Sequence, residues 1–167
     1  STHEPEEKFV LESLDGELGQ SCRLMIVPRH PERFDVVEKL LGESSYSFVR
    51  RSSPPSELDK EADIILLDTI GELRAAYPLA EIVFVGGSLV PHGGQSVIEP
   101  AAAGKAIVTG QHTHNFASVM QVFERGHAIM KVGDRTGLGN AFQSLINDSD
   151  LRADLVGESI DQQAIVR

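Results

Sequence analysis

The sequence has little of several things, and each shortage excludes a class of protein. It has a single cysteine, Cys22, so no internal disulfide can form and no multi-cysteine metal site can be built. Tryptophan is absent and aromatic residues make up only 5%. Positive charge is scarce: 15 Lys and Arg stand against 25 Asp and Glu, a formal charge of −10. Such a surface repels nucleic acid and anionic membrane, and no basic run offsets it. No apolar run reaches the roughly 18 residues that a spanning helix needs. The opening, from Ser1 to Lys8, is polar and acidic, which is not the pattern of a secretion signal. It starts on serine rather than methionine, as expected of a piece of a longer protein. Walker, nucleophile-elbow and GxGxxG patterns are all missing.

What is present suits one folded domain. A chain of 167 residues with 41% hydrophobic content can bury roughly 70% of its unfolded surface. Cys22 precedes an apolar run and reads as a small core residue. Apolar runs of strand length lie at Leu24 to Val27, Tyr46 to Val49, Asp63 to Leu67, Ile82 to Val85, Ala106 to Thr109 and His127 to Val132. Helical patterns fill the intervals: Pro31 to Leu41, Ile70 to Tyr77, Val97 to Ala103, Asn115 to Arg125 with Asn115 as a cap, Asp134 to Ile146 and Ser149 to Ile165. Gly137 and Gly139 are expected to interrupt the helix that contains them. This alternation predicts an α/β domain with a mostly parallel sheet flanked by helices. Right-handed crossovers put the loops that follow the strands on one edge, where such sheets bind ligands.

Those loops carry the chemistry. Arg29 and His30 follow the first apolar run, and an arginine fork suits phosphate or carboxylate. Asp68-Thr69-Ile70-Gly71-Glu72-Leu73 follows the third. The longest loop runs from Gly86, Gly87 and Ser88 to Gly93, Gly94 and Ser96. Gly93 and Gly94 would let backbone N–H groups approach an anion, with a helix starting near Ser96 behind them: a phosphate seat, or a plain turn with a capping serine. Glu99 has two readings, a capping-box partner of Ser96 or a carboxylate that takes a ribose diol. Five of the six histidines, His3, His30, His92, His112 and His114, fall in or near these loops. No carboxylate completes a zinc set with His112 and His114, so the histidines read as contacts for an acidic sugar rather than metal ligands.

Taken together, Pro28-Arg29-His30-Pro31-Glu32-Arg33, Asp68-Thr69-Ile70-Gly71-Glu72-Leu73, Phe84-Val85-Gly86-Gly87-Ser88-Leu89, Glu99-Pro100-Ala101 with Gly104-Lys105, and the opening Ser1-Thr2-His3-Glu4 with Glu6 and Glu7 resemble the 3-deoxy-D-manno-octulosonic acid (Kdo) transferases. The likeness runs from Ser1 to about Arg125. It implies one Rossmann-like half of a GT-B glycosyltransferase fold, spanning 1–167. This would be the C-terminal half, which binds the donor CMP-Kdo without a cofactor or metal. It implies donor contacts at Arg29, Gly71, Glu72, Gly86, Gly87, Ser88 and Glu99, and the loop reading adds His30, Gly93, Gly94 and Ser96 as expected donor contacts. Sugar contacts are expected at Thr2, His3 and His112. The catalytic carboxylate is expected in an N-terminal acceptor domain that lies outside this sequence, as is the domain's first strand. The acceptor implied is a lipid A precursor, at the cytoplasmic face of the bacterial inner membrane. This piece alone is expected to be soluble, inactive, and prone to pair with its own kind for want of that strand. One departure stands out: Gln95-Ser96 occupy the place where the family usually has His-Asn. A non-catalytic nucleotide-sugar-binding module and a sugar-nucleotide epimerase-like domain are the other functions compatible with the fold.

Overall fold

The computed structural model describes residues 1–14 and 17–165. Six short parallel strands alternate with helices. The strands are β1 (Leu24–Ile26), β2 (Phe48–Arg50), β3 (Ile64–Leu66), β4 (Ile82–Val85), β5 (Ala106–Thr109) and β6 (Met130–Lys131). The helices are α1 (Glu6–Ser13), α2 (Glu17–Ser21), α3 (Phe34–Gly42), α4 (Leu73–Ala76), α5 (Ile98–Ala102), α6 (Ala117–Arg125), α7 (Arg135–Asn147) and α8 (Ser149–Ile165). The expected α/β class is therefore present, but hydrogen bonding divides the strands into two three-stranded sheets, β1-β3-β2 and β4-β5-β6. All four pairings are parallel. β3 and β5 are the middle strands. β5 is buried at every residue, whereas β1 and β4, each at an edge, keep half-buried side chains.

Side-chain alternation explains how the layers fill. On β5, Ala106 and Val108 face a core with Val132, Leu138, Phe142 and Leu145, and Ile107 faces the opposite one with Val97, Met120 and Phe123. A third core joins Ile64 and Leu66 of β3 to Val37 and Leu41 of α3. Helix α1 ties the sheets together, because Leu11 enters the β3 core while Val10 and Leu14 enter the β5 core. Cys22 is half-buried against the β5 core, and burial pushes its thiol pKa up.

Local departures from the sequence pattern have simple causes. Pro31 begins a 3-10 turn, so α3 proper starts at Phe34. The Ile70–Tyr77 pattern yields only the short α4 and a 3-10 turn containing Pro78. Glycines 137 and 139 do not interrupt α7, which Asp134 caps by accepting from the Gly137 N–H at 2.8 Å. His127 is not a strand residue: it takes a left-handed turn, φ 53°, after α6. Among the described residues, no helix is long and apolar enough to cross a membrane.

Candidate functional site

Because the strands run parallel, the loops after β1, β3, β4 and β5 gather on one rim. The segment before α1 lies along this rim. Thr2 donates its N–H to Val27 O at 3.1 Å and accepts from the Arg29 N–H at 3.2 Å, a strand-like bridge beside the end of β1. Gly86, at the end of β4, makes room for it: a Cβ there would lie 2.1 Å from Ser1 O.

Sequence reasoning gave Glu6 no role, yet its carboxylate organises the inner rim. The residue is fully buried. Its Oε2 accepts from the N–H of His3 at 3.0 Å and of Gly87 at 2.6 Å, and its Oε1 from Ser88 at 3.0 Å and Leu89 at 2.9 Å. The turn after β4 is thus a nest for an anion, and the anion is the protein's own. Glu7, also buried, accepts from Thr2 Oγ1 at 2.9 Å and from Arg33 Nη2 at 3.0 Å, while Arg33 reaches Glu4 at 3.2 Å. Ser88 is a second knot: its hydroxyl donates to Val85 O and accepts from the Gly110 N–H at 2.7 Å. The N–H groups of Gly87 and Ser88, expected to face a donor, face Glu6. The signal was there in the acidic pair following Thr2 and His3, but nothing in sequence shows that it points inward at a loop some 80 residues away.

The Gly93-Gly94 pair also differs from an open phosphate seat. Both residues are buried and have positive φ, 94° and 78°. The Gly94 N–H donates to Gly87 O at 2.7 Å, and a Cβ on Gly93 would lie 2.3 Å from Asn115 Nδ2. Asn115, expected to cap α6, instead holds this loop: its N–H donates to Gly93 O at 3.1 Å and its amide to His92 O at 3.0 Å. The helix behind the loop, α5, is a five-residue turn. Ser96 is not the cap of a capping box either, since its hydroxyl accepts from the Ile98 N–H at 3.3 Å and the N-cap position belongs to Val97. Glu99 is thereby left exposed on the first turn of α5. Its charge is felt at Tyr77, whose phenol is pushed up to about 12 by burial first and by Glu99 second.

The outer rim carries the groups that remain open. Arg29 and His30 are exposed, and Glu32 lies 4.0 Å from His30 Nδ1 rather than beside Arg29. The His3 ring stacks on His92 with centroids 4.1 Å apart, and His30 meets it edge-on at 5.6 Å. Gln95 Nε2 is 3.3 Å from His3 Nε2. Gly87 permits this arrangement, since a Cβ there would lie 3.2 Å from the His3 ring and 3.6 Å from the Gln95 amide. Burial, then the adjacent His92, lowers the His3 pKa. On the β3 side, Gly71 (φ 86°) borders open space and Ile70 is 81% exposed. Glu72 is anchored by Thr69 Oγ1 at 2.5 Å and by Arg51 at 3.2 Å. The exposed His112 uses its backbone N–H to bind Ser88 O at 2.9 Å. The structure therefore gathers Thr2, His3, His30 and Arg29 at one end of the rim, while Gly71 and Glu72 lie on the loop after β3 and Glu99 on the first turn of α5.

No family model matches the chain. Among curated proteins, it is 38% identical over 156 residues to the 3-deoxy-D-manno-octulosonic acid transferase of Haemophilus influenzae, covering 91% of this chain and 36% of that protein. The enzyme of the same name from Bordetella pertussis is 33% identical, covering 87% of this chain and 35% of that protein. The chain thus spans about a third of the length of these curated relatives. Among solved structures, the C-terminal CMP-Kdo binding domain of WaaA from Acinetobacter baumannii superimposes with a TM-score of 0.91 at 31% identity, covering 97% of this chain and 85% of that one.

Proposed function

The chain belongs to the 3-deoxy-D-manno-octulosonic acid transferase family, and we propose that it is the enzyme's donor-binding domain, holding CMP-Kdo on the rim while Kdo is transferred to a lipid A precursor. The observation that carries this reading is the near-complete superposition on a domain whose name states that it binds CMP-Kdo. In the transfer, an acceptor hydroxyl attacks the anomeric carbon of Kdo and the bond to the phosphate oxygen breaks, releasing CMP. A base is needed to take the hydroxyl proton. That base is expected from the acceptor-binding part of the enzyme. This domain's share is to bind the donor and to stabilise charge growing on the leaving phosphate.

The exposed residues divide that work. Arg29, with His30 beside it, is the charged fork available to the phosphate. Glu99, uncommitted to capping, takes the ribose hydroxyls, and the open Gly71 loop with Glu72 contacts the nucleotide. Gly86, Gly87, Ser88, Gly93, Gly94 and Ser96 act as the frame on which these groups stand. The lipid acceptor places the complete enzyme at the inner face of the bacterial membrane. Titration calorimetry with CMP, CMP-Kdo, UMP and UDP-sugars tests the reading. Tight binding of the cytidine ligands with weak uridine binding is expected; preference for UDP-sugars, or no binding of any nucleotide, overturns it.

A further inference from the structure

We infer that His3, His30 and His92 form a proton-coupled anion subsite, in which an anionic group of the donor is bound together with a proton taken up by the imidazoles. The inference rests on the donor-binding role above for the identity of the ligand, but on the geometry of the cluster for the coupling. Three separate segments supply the rings: the strap before α1, the loop after β1 and the long loop after β4. Their centroids are 4.1 Å and 5.6 Å apart, with His3 in the middle. Two imidazolium ions at such separations repel each other, so the empty cluster resists charging. Among the described residues no group of three or more His, Cys, Asp and Glu could hold a metal.

Most of the carboxylates around the cluster have other hydrogen-bond partners, although Glu6 and Glu7 still favour the charged form of His3. Glu6 is committed to its backbone N–H groups, and Glu7 to Thr2 and Arg33. Glu4 also pairs with Arg33, and Glu32 stands 4.0 Å from His30. Arg29, on the same loop as His30, adds an exposed positive charge. The lowered pKa of His3, caused by burial and then by His92, agrees with a central ring that resists a proton when no anion is bound. An anion set over the exposed His30 and His92 reverses the balance, because it favours the charged form of every ring it approaches.

Gln95 makes His3 able to accept either state. As placed, its amide N–H2 points to His3 Nε2, which suits a bare ring nitrogen. A protonated His3 presents an N–H there instead, and a half-turn of the same amide offers it a carbonyl. Gln95 thus follows the proton without moving the loop.

The sign is fixed by linkage. Binding raises the histidine pKa, so affinity is fullest below the free-state pKa and is lost as pH rises through the bound-state value. One unit of rise corresponds to about a tenfold loss of affinity across that window.

The probes must not titrate in the histidine range, so CMP itself is unsuitable. Three ligands serve: the methyl phosphodiester of cytidine 5′-phosphate, free Kdo, and inorganic sulfate. Histidine ring signals are followed by NMR between pH 5 and 8.5, with calorimetry in buffers of different ionisation enthalpy. Expected are raised titration midpoints for His3, His30 and His92, a buffer-dependent heat showing proton uptake, and a roughly tenfold rise in Kd over the window. His92→Gln should remove most of the uptake. Uptake with the phosphodiester alone assigns the subsite to phosphate, and with free Kdo alone to the sugar carboxylate. Should no nucleotide bind while sulfate still raises the midpoints, the donor assignment fails and the subsite stands. Midpoints unmoved by all three ligands would overturn the subsite, even if the nucleotide binds.

Discussion

Two loops on the same rim follow strands and contain glycine, yet they are built for opposite ends. The turn after β4 is packed solid: Glu6 occupies its N–H groups and Gly86 presses on the strap before α1. The turn after β3 is open, with Ile70 exposed and nothing within 4 Å of a Cβ on Gly71. A glycine after a strand therefore marks a place where the backbone needs room. Whether that room is filled by the protein or left for a ligand depends on a carboxylate brought from elsewhere.

The contrast is tested most strongly at Glu6. Glu6→Ala strands buried N–H donors that cost about 1–3 kcal/mol apiece when unpaired, so a loss of at least about 3 kcal/mol in denaturant unfolding is expected. Wild-type stability in that variant would mean that the turn does not need its internal anion. Next comes Arg29→Ala, which should weaken CMP roughly 10- to 100-fold while sparing cytidine, since charge-assisted bonds are worth about 1.5–3 kcal/mol. Equal losses for both ligands would move Arg29 from the phosphate to the nucleoside. Glu99→Gln should cost about tenfold in CMP affinity with little change in melting temperature, because no cap depends on it. In that variant the 2′-deoxy nucleotide should bind nearly as well as CMP; undiminished discrimination would release Glu99 from the ribose. Gly71→Ala, in contrast to Glu6→Ala, should cost only about 1 kcal/mol, from its positive φ alone. The smallest effect is spectroscopic. Burial first and Glu99 second push the Tyr77 phenol up to about 12, so Glu99→Gln should bring its near-ultraviolet transition to lower pH. An unchanged transition would separate the two residues.

Much of the fold was legible beforehand, because a strand in the middle of a parallel sheet must be apolar on both faces and so leaves an uninterrupted run. Ala106–Thr109, the middle strand β5, has the boundaries that its run suggests, and so does the edge strand Ile82–Val85, although its side chains are only partly buried. His127 illustrates the limit: its apolar neighbours suited a strand, and only the path of the chain leaving α6 decided that it would turn left-handed. The same divide runs through the site. Arg29 and His30 could be placed at the rim from sequence, since strand order along the chain and the crossover rule fix which loops share an edge.

The sequence by itself determined the class of fold, the family and the set of loops that meet a ligand, because these follow from periodicity and from motifs that are local in the chain. Only the tertiary structure decided which of those loops' hydrogen-bond donors remain free. Glu6 and Gly87 are far apart in sequence, as are Gly93 and Asn115, and His3 and His92. Hydrogen bonds and ring contacts act over a few ångströms, so their outcome is set by which side chains the packed core of α1 and the sheets carries to the same point.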